Sequence, residues 1–359
     1  TCLGGGPLHH RGSLTLRILY WGTPAYAVPT LTELHRAGHT LVGVVSQPDR
    51  RRGRGQQLVP SAVKQQAQKL NLPVFTPDRI RRDSECQQQL AALKADLSVV
   101  VAFGQILPPE VLDQPPLGCW NGHGSLLPRW RGAAPIQWSI LSGDEETGVG
   151  VMAMEEGLDT GPVLLERKLT IGLQDNAHVL GERLSRMTAD LMVEALPLIE
   201  AAGSGSTNER WQRLGLRPQA EKSCYARMLT KQDFQIDWTD SALAIHRKVM
   251  GLYPGARTSW RGRILKLTET EPLVERLRSQ LSPEEQEKFD RLNSEFQTIR
   301  GEGTLERRVE ITNYFKQKGW QLDPIKVSEG QKIFGCLFLL FILVAGVVIL
   351  SIFYRHLFP

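Results

Sequence analysis

Short apolar runs alternate along the first two hundred residues with segments whose apolar positions recur at helical spacing. Leu16–Trp21, Thr40–Ser46, Val74–Phe75 and Leu97–Ala102 read as strands. The last is apolar nearly throughout, as a parallel strand covered on both faces should be. Between them, helices are expected over about Val28–Ala37, closed by Gly38, from Ser61 as N-cap through Leu70, and over Cys86–Leu93. Gly118-Cys119-Trp120 reads as the end of a further buried strand. Ala133–Ser142 follows as a helix, Gly148–Met154 as a strand and Val163–Leu169 as an edge strand. Ala177–Ala201 reads as a long amphipathic helix, interrupted or capped near Pro197. This alternation predicts an α/β fold with a doubly wound parallel sheet over residues 16–203.

The flanking segments differ in pattern. Residues 1–15 carry Gly4-Gly5-Gly6 and little apolar content, and are expected to be a disordered extension rather than a signal peptide. Gly203-Ser204-Gly205-Ser206-Thr207 opens a flexible linker over 204–222. Within 223–271 a helix is expected over Ser241–Met250 and strands over Arg257–Trp260 and Ile264–Thr268. A helical segment, 272–330, starts at the capping box Ser282-Pro283-Glu284-Glu285. Leu281, Phe289, Leu292, Phe296 and Ile299 form its apolar stripe, and a second helix is expected from Thr304 to Lys318. Ile333–Phe353 then runs without a charge for about the 20 residues that a bilayer core requires. A transmembrane helix, and with it membrane attachment, is expected within 331–359.

The stretch from Asn121 to Pro135 concentrates the chemistry. Asn121 and His123 are two apart, so on an extended backbone they point to one side. The carboxyl ends of strands in an α/β sheet are where ligands sit. An amide donor and an imidazole facing one small volume can hold a developing oxyanion and handle a proton beside it. Downstream, Glu156-Gly157-Leu158-Asp159-Thr160-Gly161 supplies a carboxylate, Asp159, on a turn-rich loop. A lone Asn-x-His is commonly structural, and a lone Asp in a Gly-rich loop is commonly a turn former. The apolar turn Ser125–Pro128 and the Arg129-Trp130-Arg131 triplet that follows exceed what a structural turn needs. Amide, imidazole and carboxylate together suit moving an acyl group onto an amine.

Charge and cysteines narrow the setting. The net charge of +5 is compatible with a nucleic-acid partner without demanding one. Arg50, Arg51, Arg52 and Arg54 sit with Gly53 and Gly55 in one loop that leaves the carboxyl end of the second strand. That density reads as a mobile, positively charged flap suited to phosphate contacts. The five cysteines are scattered, without Cys-x-x-Cys, which indicates a reducing compartment and argues against a zinc site. One glycine, Gly22, after the first strand is too little for a dinucleotide fingerprint.

The run from Asn121 through Gly124, Ser125-Leu126-Leu127-Pro128 and Arg129-Trp130-Arg131-Gly132-Ala133-Ala134-Pro135-Ile136 resembles the methionyl-tRNA formyltransferases. So do Gly22-Thr23-Pro24, Gln47-Pro48-Asp49-Arg50, Gly53-Arg54-Gly55, Phe103-Gly104-Gln105-Ile106-Leu107-Pro108, Gly157-Leu158-Asp159-Thr160-Gly161 and Ile236-Asp237-Trp238. The likeness extends from about Leu16 to Thr270. It departs from the family at Trp120 and Gly122, where aliphatic residues are usual, and its small C-terminal β-barrel reads as cut short after about Glu271. The resemblance implies a formyltransferase-type sheet and transfer of a formyl group from 10-formyltetrahydrofolate to the α-amine of initiator methionyl-tRNA, with no metal. It implies catalysis by Asn121, His123 and Asp159, and a pteridine pocket lined by Ile106, Leu107, Ser125, Leu126, Leu127 and Pro128. Arg50, Arg51, Arg52 and Arg54 would meet the tRNA acceptor stem, and residues 223–271 would help bind tRNA. A monomer is expected, with its catalytic domain in the cytosol or the organellar equivalent. Three alternatives remain open at this point: a formyltransferase acting on another amine, a formyl-folate hydrolase, and an inactive membrane-tethered protein binding RNA or folate.

Overall fold

The computed structural model describes residues 15–52, 57–260, 262–272 and 282–288, with Arg291. The chain divides into two compact units between Thr230 and Lys231. The first unit begins with β1 (Arg17–Gly22), α1 (Val28–Arg36), β2 (Thr40–Val45), a hairpin of β3 (Arg50–Arg52) and β4 (Gln57–Val59), and α2 (Ala62–Lys69). It continues with β5 (Val74–Phe75), α3 (Ser84–Ala92), β6 (Leu97–Val101), the single turn α4 (Pro109–Leu112), β7 (Cys119–His123), β8 (Arg131–Gly132) and α5 (Pro135–Ser142). It closes with β9 (Glu146–Ala153), β10 (Val163–Thr170), α6 (Ala177–Ala202), α7 (Thr207–Leu214) and β11 (Tyr225–Ala226).

The main sheet has the order β10-β9-β7-β6-β1-β2-β5. From β5 to β7 every pairing is parallel. The chain winds outward from β1 through β2 to β5, then returns to lay β6 against the other side of β1. That reversal opens a crevice at the carboxyl ends of β1 and β6, the usual ligand position in such sheets. β9 and β10 are antiparallel to their neighbours, so the sheet is not parallel throughout. For β10 the reason is connection length, since the short loop from Ala153 to Val163 returns the chain beside itself, whereas a parallel neighbour needs a long crossover. β10 alternates between buried and exposed positions, as an edge strand with one wet face should.

Both faces of the sheet are covered. Leu19, Trp21, Val45 and Val100 pack with Ile80, Leu90 and Phe103 on the side of α3. Ile18, Tyr20 and Gly122 face the opposite way, toward α1 and α6, with Tyr20 donating to Ala27 O and Gly122 lying against Thr188 and Met192. Two expectations are corrected here. α6 is continuous through Pro197, because Ala195, Leu196 and Ile199 carry its buried stripe past the proline, and that packing outweighs one lost backbone bond. The expected linker contains a helix, α7, whose N-cap Ser206 forms a reciprocal capping box with Glu209.

The second unit contains α8 (Ala242–Gly251), capped by Ser241, and a hairpin of β12 (Arg257–Trp260) and β13 (Arg263–Lys266). Ser282 and Glu285 form the expected capping box. The apolar stripe from Phe289 to Ile299, the helix over 304–318 and the charge-free run 333–353 lie outside the described residues. Among the described residues no helix is long and apolar enough to cross a membrane. This corrects the fold class and removes the transmembrane helix from it. The longest helix, α6, is amphipathic and carries Glu182, Arg183, Arg186, Asp190 and Glu194 on its wet face.

Candidate active site

β7 delivers Asn121 and His123 to one face, buried at 8% and 6% exposure. Asp159 reaches them from the loop between β9 and β10 and acts as the hub. Its Oδ1 accepts from Asn121 Nδ2 at 3.1 Å, and its Oδ2 accepts from the backbone N–H of Gly132 at 2.9 Å. His123 Nδ1 stands 3.7 Å from the same Oδ2. The other ring nitrogen, Nε2, lies 2.9 Å from the carbonyl oxygen of Trp130. A carbonyl can only accept, so Nε2 carries a proton and Nδ1 is the ring nitrogen turned toward the carboxylate. Asn121 spends one N–H on Asp159 and keeps the second for another acceptor.

The backbone around this cluster is held in unusual shape. Asp159 has φ +53° and Trp130 φ +61°, conformations that cost a non-glycine residue on the order of 1 kcal/mol. Asp144 clamps the second of these turns. It takes a bidentate pair from Arg129 and accepts from Trp130 Nε1 at 2.7 Å. Ser125, fully buried, closes the same turn by donating to Arg129 O at 2.6 Å. Arg131 turns inward at 9% exposure and donates from Nε to Gln219 Oε1 at 2.9 Å. Both arginines beside Trp130 are therefore engaged by protein groups.

The remaining expected residues separate by environment. Ile106 is 54% exposed, and Leu126 and Pro128 are partly exposed. Leu107 lies in the core with Trp21 and Phe103, and Leu127 in a smaller cluster with Met152 and Val163. A cavity of about 270 Å³ opens around Cys119, two positions before Asn121, with Met154, Glu155 and Arg210 in its lining and neither leucine among them. Burial pushes the Cys119 thiol up to about 12, so it stays protonated and is no nucleophile. Arg50 and Arg51 are exposed on β3, and Arg50 donates to Gln47 Oε1 at 3.3 Å. Their segment is thus one arm of a hairpin rather than a wholly mobile flap, while Arg54 lies outside the described residues.

A family model described as formyl transferase matches residues 16–196, and one described as formyl transferase, C-terminal domain, matches residues 228–300. The methionyl-tRNA formyltransferase of Parasynechococcus marenigrum strain WH8102 is 80% identical over 272 residues, covering 76% of this chain and 80% of that one. The chain belongs to the methionyl-tRNA formyltransferase family. It is an enzyme, a transferase of formyl groups. The second family match runs on past Glu271. Solved structures share the fold at low identity. A 4-N formyltransferase from Francisella tularensis superposes with TM-score 0.55 and 14% identity, over 71% of this chain and 98% of that one. HypX from Aquifex aeolicus, in complex with tetrahydrofolic acid, gives TM-score 0.52 and 18% identity, over 72% of this chain and 38% of that one.

The two departures of this formyltransferase at β7 have a packing explanation. A Cβ on Gly122 would stand 2.5 Å from Thr188 Cγ2, so the strand's glycine makes room for a threonine of α6. Trp120 shares that face by the period-two alternation of a strand, is 1% exposed, and donates from Nε1 to Leu117 O at 2.9 Å. Both point away from Asn121 and His123. Gly132 N–H, Trp130 O, Asp144 and Gln219 join the site although motif reading passed over them. Trp130 and Gly132 carried a visible signal, because both lie inside the motif run that begins at Asn121.

Proposed function

We propose that this chain makes formylmethionyl-tRNA, taking the formyl group from 10-formyltetrahydrofolate and placing it on the α-amine of initiator methionyl-tRNA at Asn121, His123 and Asp159. The amine must attack as the neutral base, which a pKa of about 7.7–8.0 makes readily available near neutrality. Its nitrogen lone pair forms a bond to the formyl carbon, and the carbonyl π electrons move onto oxygen. The uncommitted N–H of Asn121 donates to that oxyanion. The attacking nitrogen then carries a surplus proton. His123 Nδ1 and Asp159 Oδ2 stand 3.7 Å apart beside that nitrogen, and this pair takes up the proton. The oxyanion re-forms its double bond and expels N10 of the folate, which takes up a proton. Formylated amine and tetrahydrofolate leave with atoms and charge balanced.

The convergence of Asn121, His123 and Asp159, fixed by Trp130 O and Gly132 N–H, is the observation that carries this reading. We assign Ile106, Leu126 and Pro128 to the rim of the folate site, with Leu107 and Leu127 supporting it from the core and Ser125 fixing the turn. Arg50, Arg51 and Arg52, with Arg54 close by in sequence, are the tRNA phosphate contacts. The amine is that of methionyl-tRNA rather than a sugar or a purine precursor, a choice supported by the 80% identical relative. The bacterial source of that relative supports work in the compartment where translation begins. Because Trp120 and Gly122 point to the far face, they give no ground for an inactive protein.

The test is a single-turnover assay with methionyl-tRNA and 10-formyltetrahydrofolate, measuring formylmethionyl-tRNA and free formate together. Formylated tRNA should account for the folate consumed. Asn121→Ala and Asp159→Asn should each lower turnover by ~10²-fold or more with the fold intact. Release of formate without formylated tRNA would favour a hydrolase, and near-normal turnover of Asp159→Asn would refute the assigned site.

A further inference from the structure

Gln219 lies in the stretch that composition marks as linker, and its side chain sits directly under the catalytic carboxylate's loop. Nε2 donates to two backbone carbonyls, Asp159 O at 2.9 Å and Gly161 O at 2.7 Å. Oε1 accepts from Arg131 Nε at 2.9 Å. The amide orientation is fixed by its partners, since carbonyls only accept and a guanidinium only donates. The backbone of Gln219 is itself tied down nearby. Arg217 forms a single antiparallel bridge to Val163 at the start of β10, with both N–H···O distances 2.9 Å. Arg131 belongs to β8, and its neighbour Gly132 is the residue whose N–H bonds Asp159 Oδ2.

We infer that Gln219 is a positioning residue for the reaction, holding Asp159 in its left-handed conformation so that its carboxylate meets Asn121, Gly132 and His123 together. Asp159 sits at φ +53°, from which an unrestrained backbone would relax toward a commoner conformation. The carboxylate has to satisfy three partners at once, and the His123 separation is already 3.7 Å. The two bonds from Gln219 bracket Thr160 and fix the 159–160 and 161–162 peptide planes. Arg131 closes the circuit, because its neighbour's N–H and its own guanidinium hold the carboxylate and the loop backbone from one two-residue strand. Among the hydrogen bonds of the described residues, Arg217 holds the end of the loop at Val163 and Gln219 holds its interior at Asp159 and Gly161.

The inference rests on Asp159 acting in catalysis, and the test separates the two. Gln219→Ala removes the side chain. Gln219→Glu keeps its shape and an acceptor for Arg131 but has no N–H to offer the two carbonyls. Both should lower kcat about 10–100-fold, the scale on which a misplacement of about an ångström acts. KM for tRNA and for 10-formyltetrahydrofolate should stay within about twofold. Single-turnover rates with enzyme in excess keep the slow variants measurable. In an Asp159→Asn background, Gln219→Ala should add less than about a twofold further loss, since a residue acting only through Asp159 has nothing left to position. A Gln219→Glu protein with wild-type kcat overturns the proposal. So does an equal loss in both backgrounds, or an effect confined to KM. Wild-type turnover of Asp159→Asn alone overturns the catalytic reading beneath it, and a slow Asp159→Asn with an unaffected Gln219→Ala overturns only the positioning role.

Discussion

Gly122→Ala adds one methyl group to the face of β7 turned away from the catalytic pair, and its cost can be worked from the neighbours. The new Cβ would stand 2.5 Å from Thr188 Cγ2, with Val101 Cγ2 at 3.5 Å and Met192 Cε at 3.6 Å. The first distance is roughly an ångström inside carbon–carbon contact. Thr188 is fully buried, and its Oγ1 donates to Leu184 O at 2.8 Å and shares a 2.8 Å bond with Tyr26 Oη. Swinging the methyl aside breaks at least one of those bonds, at about 1 kcal/mol. Leaving it in place forces strand and helix apart, and such overpacking costs about 1–3 kcal/mol. Stiffening of the unfolded chain returns only about 0.4–1 kcal/mol. A net loss of about 2 kcal/mol is expected, which lowers Tm by roughly 4–8 °C for a unit of 150–250 residues. Thr188→Ser deletes the clashing methyl and keeps the hydroxyl, and alone should cost about 1 kcal/mol for one buried methyl. In the double variant the methyl has moved from helix to strand at constant volume, so the cost should stay near 1 kcal/mol rather than reach the sum of about 3. Thermal and urea melts of the four proteins measure this cycle. A double variant as unstable as the sum of the singles would refute the claim that Gly122 exists to admit Thr188.

Two further outcomes follow from the same coordinates. His39 Nδ1 accepts from Leu16 N–H at 3.4 Å, and burial, opposed by Glu200, holds its pKa below the ordinary 6.5. The unfolded chain therefore binds this proton more readily, and the contribution is complete above pH 6.5 and lost as pH falls through the folded value. His39→Gln should shrink the fall in Tm between about pH 7 and pH 5, and an unchanged fall would rule His39 out as a source of acid sensitivity. Arg50→Ala with Arg51→Ala should raise KM for tRNA and reduce the slope of log affinity against log salt by roughly 1–2, with folate binding spared. An unchanged slope would exclude the hairpin as a phosphate contact.

Much of the fold was legible because local chemistry and tertiary need agree along most of the chain. Ser61 caps α2 through Lys64 N, and Ser241 caps α8 through Ala244 N, as side chains in those positions must. Leu97–Val101 is buried at every position, matching its unbroken apolar run. Reading failed where one scale overruled another. Pro197 argued locally for a break, but the buried stripe of α6 runs through it. The Gly and Ser content of 203–207 argued for a linker and hid Ser206-x-x-Glu209, a helix start of the same type as the one recognised at Ser282. The antiparallel edge had no signature of its own, since β9 reads as an apolar strand in either direction. The charge-free run at 333–353 supported a membrane helix by length alone, and no described helix has that character.

The site divides in the same way, and the division explains its build. That Asn121, His123 and Asp159 lie together was partly readable, because two of them share a strand face. What positions them is backbone and long-range, and no side-chain pattern announces it. Trp130 contributes a carbonyl, Gly132 an N–H and Gln219 an amide from sixty residues beyond Asp159. Each acts at a spot where the chain is bent into positive φ or crosses from another element. Ser125 shows the reverse error. Its place in an apolar turn invites a role at the ligand, yet it is fully buried and its hydroxyl closes the turn onto Arg129 O. Arg131, which looks like a phosphate contact beside Trp130, spends its charge holding Gln219. Around Asn121, His123 and Asp159, the polar side chains of Ser125, Arg131 and Gln219 are bonded to the protein itself and fix the geometry of the cluster.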